Sequence, residues 1–212
     1  MGCLKAGANG IEHGSFRERI PDEIFATMAK NGITYDPTLS VAEGLTDFAE
    51  GKLDSLNRSL VQQTAPARIL SLTRSSIDSP DSKRMRASMT KFPIDTEIAR
   101  DNLVRAWRSG VTLVTGSDAG NLLVFHGPTV QREIQLWAKA GIPVSAALRA
   151  ATTNGARSLG AEARFGSVTP GKEATLLVVD GNPLEDAKAL EAVSFVMFKG
   201  ERLNRAELFS QE

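Results

Sequence analysis

The run Val111-Thr112-Leu113-Val114, stopped at once by Thr115-Gly116-Ser117-Asp118-Ala119-Gly120, constrains this chain more than any other feature. A continuous apolar run suits a strand covered on both faces, as in a parallel sheet. Its surroundings are helical. Ile94 to Ser109 keeps Ile94, Ile98, Leu103 and Trp107 at approximate helical spacing before Gly110. Pro128 to Ala140, with Val130, Ile134 and Trp137 on one face, and Pro143 to Leu159 are each opened by Pro and closed by Gly141 or Gly160.

The same alternation is visible earlier. Leu4-Lys5-Ala6-Gly7 reads as the last turn of a helix with a Gly C-cap, although no helix precedes it. Asn9 to His13 reads as a short buried strand ending at Gly14. A helix from about Pro21 to Lys30 follows, with Asp22 and Glu23 in its first turn and Gly32 past its end. Ile33-Thr34-Tyr35 is a second strand, stopped by Asp36-Pro37. Residues 39 to 91 are less regular: Leu53, Leu56, Leu60, Val61, Ile69 and Leu72 allow helices. Pro66, Ser79-Pro80 and Lys83-Arg84-Met85-Arg86 read as interruptions, the basic cluster as a solvated loop. From Gly166 the texture is β-rich. Strands are expected at Ala174 to Asp180 and Val193 to Lys199, a short helix at Leu184 to Glu191, and a tight hairpin through Lys199-Gly200-Glu201. A domain division near residue 160 is therefore expected, an α/β layer over 1–160 and a small β-rich part over 161–212.

Composition narrows the function classes. Lys and Arg number 25, as do Asp and Glu, so the 212-residue chain has no net charge and no basic face for nucleic acid. A lone Cys3 excludes an internal disulfide and a zinc site built from several cysteines. The longest apolar runs, such as Ala174 to Val179 with its interrupting Thr175, fall far short of a membrane span, and no signal-peptide pattern opens the chain. Met1-Gly2 is followed by Ala6 where myristoylation needs Ser or Thr. The chain is expected to be soluble and, as written, cytoplasmic, with neither nucleic acid nor membrane as partner.

Two residues stand where parallel α/β folds place functional groups, at the carboxyl ends of strands. Asp118 follows the 111–114 run and His13 closes the first strand. Taken singly, Asp118 reads equally as a helix cap or loop-stabilising residue, and His13 as a packed, hydrogen-bonded histidine. Together, separated by further strand-helix units, they would converge on one face of a barrel.

At these residues the chain resembles the amidohydrolase superfamily, in particular its imidazolonepropionase-like and Xaa-Pro dipeptidase-like members. The resemblance rests on Ala6-Gly7-Ala8-Asn9-Gly10-Ile11-Glu12-His13-Gly14 and on Thr115 to Gly120. His126-Gly127, Ala140-Gly141-Ile142-Pro143, Ala150-Ala151-Thr152-Thr153-Asn154 and Gly166-Ser167-Val168-Thr169-Pro170-Gly171-Lys172-Glu173-Ala174 support it. Together these motifs run almost end to end. The resemblance implies strands six to eight of a metal-dependent TIM-like (β/α)8 barrel plus the C-terminal share of a small β-sandwich. It implies His13 as a metal ligand, Asp118 as both metal ligand and proton shuttle, and His126 as a substrate-facing loop residue, for which a solvated loop His is the alternative. Ser117, where Thr is common, and Thr175, where Asp is frequent, are small departures.

The larger departure is a short ligand set. Such a family also draws ligands from a His-x-His pair, a lysine or acid and a further His on earlier strands, and none of these can be placed here. The sequence holds only two histidines, His13 and His126. The chain is therefore expected to be a C-terminal half, inactive alone. The intact parent would hydrolyse a C–N bond of an amide, dipeptide or cyclic amide. One or two divalent metal ions, zinc by expectation, would activate water, and Asp118 would move its proton to the leaving nitrogen. The expected partners are thus a small-molecule or dipeptide substrate and, in a homo-oligomer, further copies of the chain. A non-catalytic structural or assembly fragment is the alternative from another class, and a small α/β binding domain without family relation is the third.

Overall fold

Three parallel backbone segments lie side by side in sequence order. In the computed structural model, which describes residues 2–91 and 93–209, β1 (Gly10–Glu12) pairs in parallel with β2 (Thr34–Asp36), Ile11 opposite Tyr35. Segment 111–114 lies along the other edge of β2. The Tyr35 N–H donates to the Thr112 carbonyl and the Val114 N–H to the Tyr35 carbonyl, both at 3.0 Å. The reading at Met1 and the outer limits of the two-part division fall outside the described residues.

The helices between these segments form where the sequence signals them. After α1 (Gly2–Lys5), α2 (Asp22–Asn31) carries acids in its first turn and ends in a left-handed Gly32, φ +68°. Helix α7 (Thr96–Arg108) is capped by Asp95, whose Oδ1 accepts from the N–H groups of Glu97 at 2.9 Å and Ile98 at 3.2 Å. Helix α8 (Thr129–Lys139) follows. A longer helical stretch comes next: α9 (Val144–Arg149), a π-helical turn over Ala150–Asn154, and α10 (Gly155–Ser158). The wide turn coincides with the Ala150 to Asn154 motif. Asn154 Nδ2 donates to the Leu113 carbonyl at 2.8 Å, satisfying the side of the 111–114 segment that β2 does not pair.

Several expectations are corrected. Strand β1 is not buried: Ile11 is half-buried and Glu12 exposed, because among the described residues no further strand covers its outer edge. Trp107 faces outward, and the packed face of α7 is instead Ala99, Asn102, Leu103 and Ala106. The irregular 39–91 stretch is helical: α3 (Leu39–Glu50), α4 (Ser59–Thr64), α5 (Ala67–Ser76) and α6 (Pro80–Met89), with a 3-10 turn at Asp54–Asn57. Pro66 and Ser79-Pro80 start helices rather than interrupt them. Ser79 Oγ accepts from the Ser82 N–H at 3.2 Å, and proline is pre-shaped for a first turn. The basic cluster lies in α6, not in a loop, and Arg86 is held by the Ile77 carbonyl and the Phe48 ring.

One core joins these parts, with Phe25, Met28, Tyr35, Leu39, Leu103, Leu113, Ile134 and Trp137 packed together. A smaller cluster of Leu56, Val61, Ala65 and Leu70 fastens the 54–76 helices to Leu123 and Phe125. Within α7 the fully buried Asn102 ties down the loop after β1. Its Oδ1 accepts from the Ile20 N–H at 2.9 Å, and its Nδ2 donates to the carbonyls of Ser15 at 3.0 Å and Glu18 at 2.9 Å. The C-terminal part is an antiparallel sheet, β3 (Leu176–Val179), β4 (Val193–Phe198) and β5 (Glu201–Arg202), followed by α11 (Arg205–Phe209). Lys199 and Gly200, both at positive φ, make the tight hairpin. The 3-10 turn Ala187–Glu191 places Leu190 in the main core.

Leu103 is fully buried at the centre of this core. The Leu103→Ala variant is expected to lose about 2–5 kcal/mol of stability, read as a lower urea midpoint at unchanged m-value. An unchanged midpoint would contradict the packing described.

Candidate functional site

At the carboxyl ends of the three parallel segments, three non-glycine residues adopt left-handed backbone: His13 (φ +63°), Thr38 (φ +45°) and Asp118 (φ +45°). Each such conformation costs on the order of 1–3 kcal/mol and persists only where its surroundings over-determine it. The two strand-end residues picked from the sequence are brought together. His13 Nδ1 lies 3.7 Å from Asp118 Oδ2, and Thr38 Oγ1 lies 3.3 Å from the same nitrogen. The side chains of His13 and Asp118 are 58% and 41% exposed, so the pair opens on solvent. Asn121 secures Asp118: its Nδ2 donates to the Asp118 carbonyl at 3.0 Å and to Oδ2 at 2.7 Å.

Beneath the pair lie two buried acids absent from the sequence reading. Asp36 Oδ1 accepts from the Thr38 N–H at 3.1 Å, and the carboxyl also takes the Gly116 N–H. Gly116 must be glycine, because a Cβ there would collide with Asp36 Oδ2. Glu133, fully buried on α8, accepts from the N–H groups of Leu39 at 2.8 Å and Ser40 at 2.7 Å and from Trp137 Nε1 at 2.7 Å. Burial first, then the neighbouring Glu133 carboxylate, pushes the Asp36 carboxyl up to about 7, against the bonds from Gly116 and Thr38 that favour its charged form. Burial also raises Glu133, while its N–H donors pull the other way. Asp36 was legible only as a strand stop. Glu133 was hidden between Ile134 and the other apolar residues of its helix.

His126 is not part of the strand-end pair. It is exposed, with Nε2 3.9 Å from where a Gly120 Cβ would stand, at the mouth of a cavity of about 550 Å³ between α5, α6 and the 120–126 loop. Ile69, Met85, Leu122 and Phe125 give that cavity an apolar wall, and Asn121 joins it to Asp118.

For a metal ion, His13 and Asp118 fit as part of a donor set. Two ligands on one tetrahedral zinc stand roughly 3.3 Å apart at the usual bond lengths, close to the 3.7 Å found between these atoms. Among the described residues, no group of three or more His, Cys, Asp or Glu side chains is arranged to hold a metal.

Parallel strands with functional groups at their carboxyl ends, separated by helices, define an α/β protein of the class that builds its site from strand-end loops. The chain belongs to the amidohydrolase family, whose profile matches residues 2–203. Among curated proteins it is similar to an ochratoxinase of Aspergillus niger, 27% identical over 206 residues that cover 96% of this chain and 35% of that protein. Among solved structures it is similar to a Xaa-Pro dipeptidase with methionine bound in its active site. The TM-score is 0.69 at 28% identity, over 95% of this chain and 41% of that one. The Aspergillus niger ochratoxinase structure gives a TM-score of 0.59 at 26% identity, over 94% of this chain and 38% of that one. The chain thus spans little more than a third of the length of the curated relatives it matches.

The acid with its folded-state pKa raised to about 7 from 3.8 holds its proton more tightly folded than unfolded. Its contribution is full below about pH 4 and is lost as pH rises through about 7. Asp36→Asn is expected to remove that decline, flattening urea stability between those limits, while lowering stability overall by leaving the Gly116 N–H without its acceptor. A decline of the same slope in the variant would show that Asp36 does not titrate in this window.

Proposed function

We propose that this chain supplies part of the active site of a metal-dependent hydrolase acting on C–N bonds, in an amide, dipeptide-like or cyclic amide substrate. The observation that carries the reading is the meeting of His13 and Asp118 at 3.7 Å, each strained, at the ends of the first and third parallel segments. In the same proposal these segments are strands six to eight of a (β/α)8 barrel. The β3–β5 part beyond residue 160 is a share of a second, smaller domain.

The family generally uses divalent metals, and an ion of that kind would acidify water and polarise the scissile carbonyl. His13 and Asp118 would hold their share of it. Asp118 accepts a proton from the attacking water and returns it to the leaving nitrogen. Asn121, bonded to Asp118 Oδ2, keeps that carboxylate in one orientation during the exchange. His126 faces the substrate from the mouth of the apolar cavity, which has the size of a small-molecule site. The pair is half-exposed, and electrostatic catalysis weakens in water. Two donors are also fewer than a catalytic zinc needs. The 212 residues alone are therefore inactive in this reading, and further ligands complete the site.

Cobalt serves as a probe of the donor pair. The chain is expected to bind Co2+ weakly, with a d–d absorption lost in both His13→Ala and Asp118→Ala, and to show no turnover of an Xaa-Pro dipeptide with zinc. Cobalt absorption indifferent to both substitutions would sink the assignment of the pair. Zinc-dependent turnover by the 212 residues, abolished in Asp118→Ala, would sink the incomplete site.

A further inference from the structure

The cavity beside the strand-end pair, about 550 Å³ between α5, α6 and the 120–126 loop, is chemically one-sided. Asp, Glu, Lys and Arg make up 24% of the chain, yet among the described residues none of these types lines it. Four lining side chains carry hydroxyls, and these are largely spent within the wall. Thr64 Oγ1 donates to the Leu60 carbonyl at 2.6 Å, Thr73 Oγ1 to the Ile69 carbonyl at 2.8 Å and Ser76 Oγ to the Thr73 carbonyl at 3.3 Å. Ser82 Oγ accepts from the Ser79 hydroxyl at 3.1 Å. A hydroxyl has one proton to give, so three of the four have none left for a ligand.

One side of the cavity is preformed. The Gly120 N–H donates to the Val124 carbonyl and the Val124 N–H to the Asn121 carbonyl, both at 3.0 Å, and the loop so closed holds Leu123 at φ +60°. It is seated on α3 at Gly44, where a Cβ would stand 2.5 Å from the Leu122 carbonyl oxygen. Opposite it, Ile69 of α5 and Met85 of α6 are 46% and 49% exposed and line the cavity, apolar surface that gains from being covered. The Met85 thioether and the Phe125 ring suit an aromatic group. Size sets a lower bound, since an apolar cavity of about 150 Å³ already takes one benzene. A charged group entering here would lose its hydration and find no counter-charge. Polarity returns only at the mouth, where Asn121 Nδ2 is bonded to Asp118 Oδ2 at 2.7 Å.

We propose that this cavity receives an uncharged aromatic substituent of the amide substrate, larger than one phenyl ring, and that Ile69, Met85 and Phe125 select it. Amides with a charge on that substituent are excluded. The proposal deepens the hydrolase reading above and rests on it for the reacting end alone; the preference of the cavity does not depend on it.

The full chain, without metal, is titrated with N-phenylnaphthylamine, a neutral probe that brightens in apolar surroundings. The probe is then displaced by three amides: benzamide, its para-phenyl derivative, and that derivative with a carboxylate on the outer ring. The neutral two-ring amide is expected to compete about tenfold or more better than benzamide, which buries one ring fewer, and better than the carboxylate by a similar factor. Ile69→Asp and Met85→Glu, at half-exposed positions that tolerate a polar side chain, should each weaken the neutral two-ring amide about tenfold or more. Thr73→Trp, which fills the cavity without adding charge, should do the same. Leu72→Asp on α5 and Leu177→Asp on β3, both exposed and outside the cavity, should leave binding unchanged. The urea midpoint identifies which variants are folded, and any one folded cavity variant suffices. Equal competition by the neutral and carboxylated amides overturns the proposal, as does binding indifferent to a folded cavity variant or lost equally in Leu177→Asp. Neither metal nor turnover enters this measurement. Failure of the cobalt assignment of His13 and Asp118 would leave the cavity result standing, and failed binding would leave the metal assignment standing.

Discussion

A carboxylate with no exposed surface holds the centre of this protein. Glu133, on α8, takes the first N–H groups of α3 and the indole N–H of Trp137 one turn along its own helix. An unpaired acid at this depth would cost several kcal/mol. Three charge-assisted hydrogen bonds offset much of that cost and, in doing so, fix where α3 begins relative to α8. Removing either partner leaves the other buried and unsatisfied, so the two helices cannot drift independently. The loop between β2 and α3, and with it the strand end that carries Thr38, inherits that precision.

A second acid repeats the arrangement nearer the surface. Asp36 is pushed up to about 7 by burial and by Glu133, yet it remains bonded to Thr38 and to Gly116, one from each of two neighbouring strand ends. It is therefore a bracket between adjacent βα connections. The strained residues His13, Thr38 and Asp118 stand at the ends of the same three segments, in the order of the strands. Strain of this kind is maintained by a rigid support, here supplied by the two acids below, by Asn102 behind the first loop and by Asn154 behind the third segment.

Legibility in the sequence followed how local each cause was. Helices α2, α7 and α8 were readable from proline, acidic first turns and glycine stops, because those signals act within one turn of the chain. The Lys199-Gly200 hairpin was readable for the same reason. The basic cluster Lys83 to Arg86 reads as a solvated loop from its charge density, yet Ser79-Pro80 just ahead of it is itself a helix start and the cluster lies within α6. Trp107 keeps approximate helical spacing with Leu103 yet faces outward, whereas Asn102, a polar residue, lies on the packed face. The strand-end pair was found by position and resemblance, but the acids that support it were not. Asp36 looked like a stop signal, and Glu133 interrupted an apolar face that pattern reading treats as uniform.

By itself, then, the sequence determined the alternation of strands and helices, the tight turns, membership of a family through motifs spread over residues 6–174, and the two strand-end candidates. The tertiary structure alone decided that His13 and Asp118 meet, that Thr38 joins them, and that His126 belongs to a neighbouring cavity instead. The physical reason is range. Capping, turn preference and hydrophobic period are set by residues a few positions apart. The burial of a charged acid, and the strain it lets a distant turn keep, depend on partners about a hundred residues away that only the packed fold brings into contact.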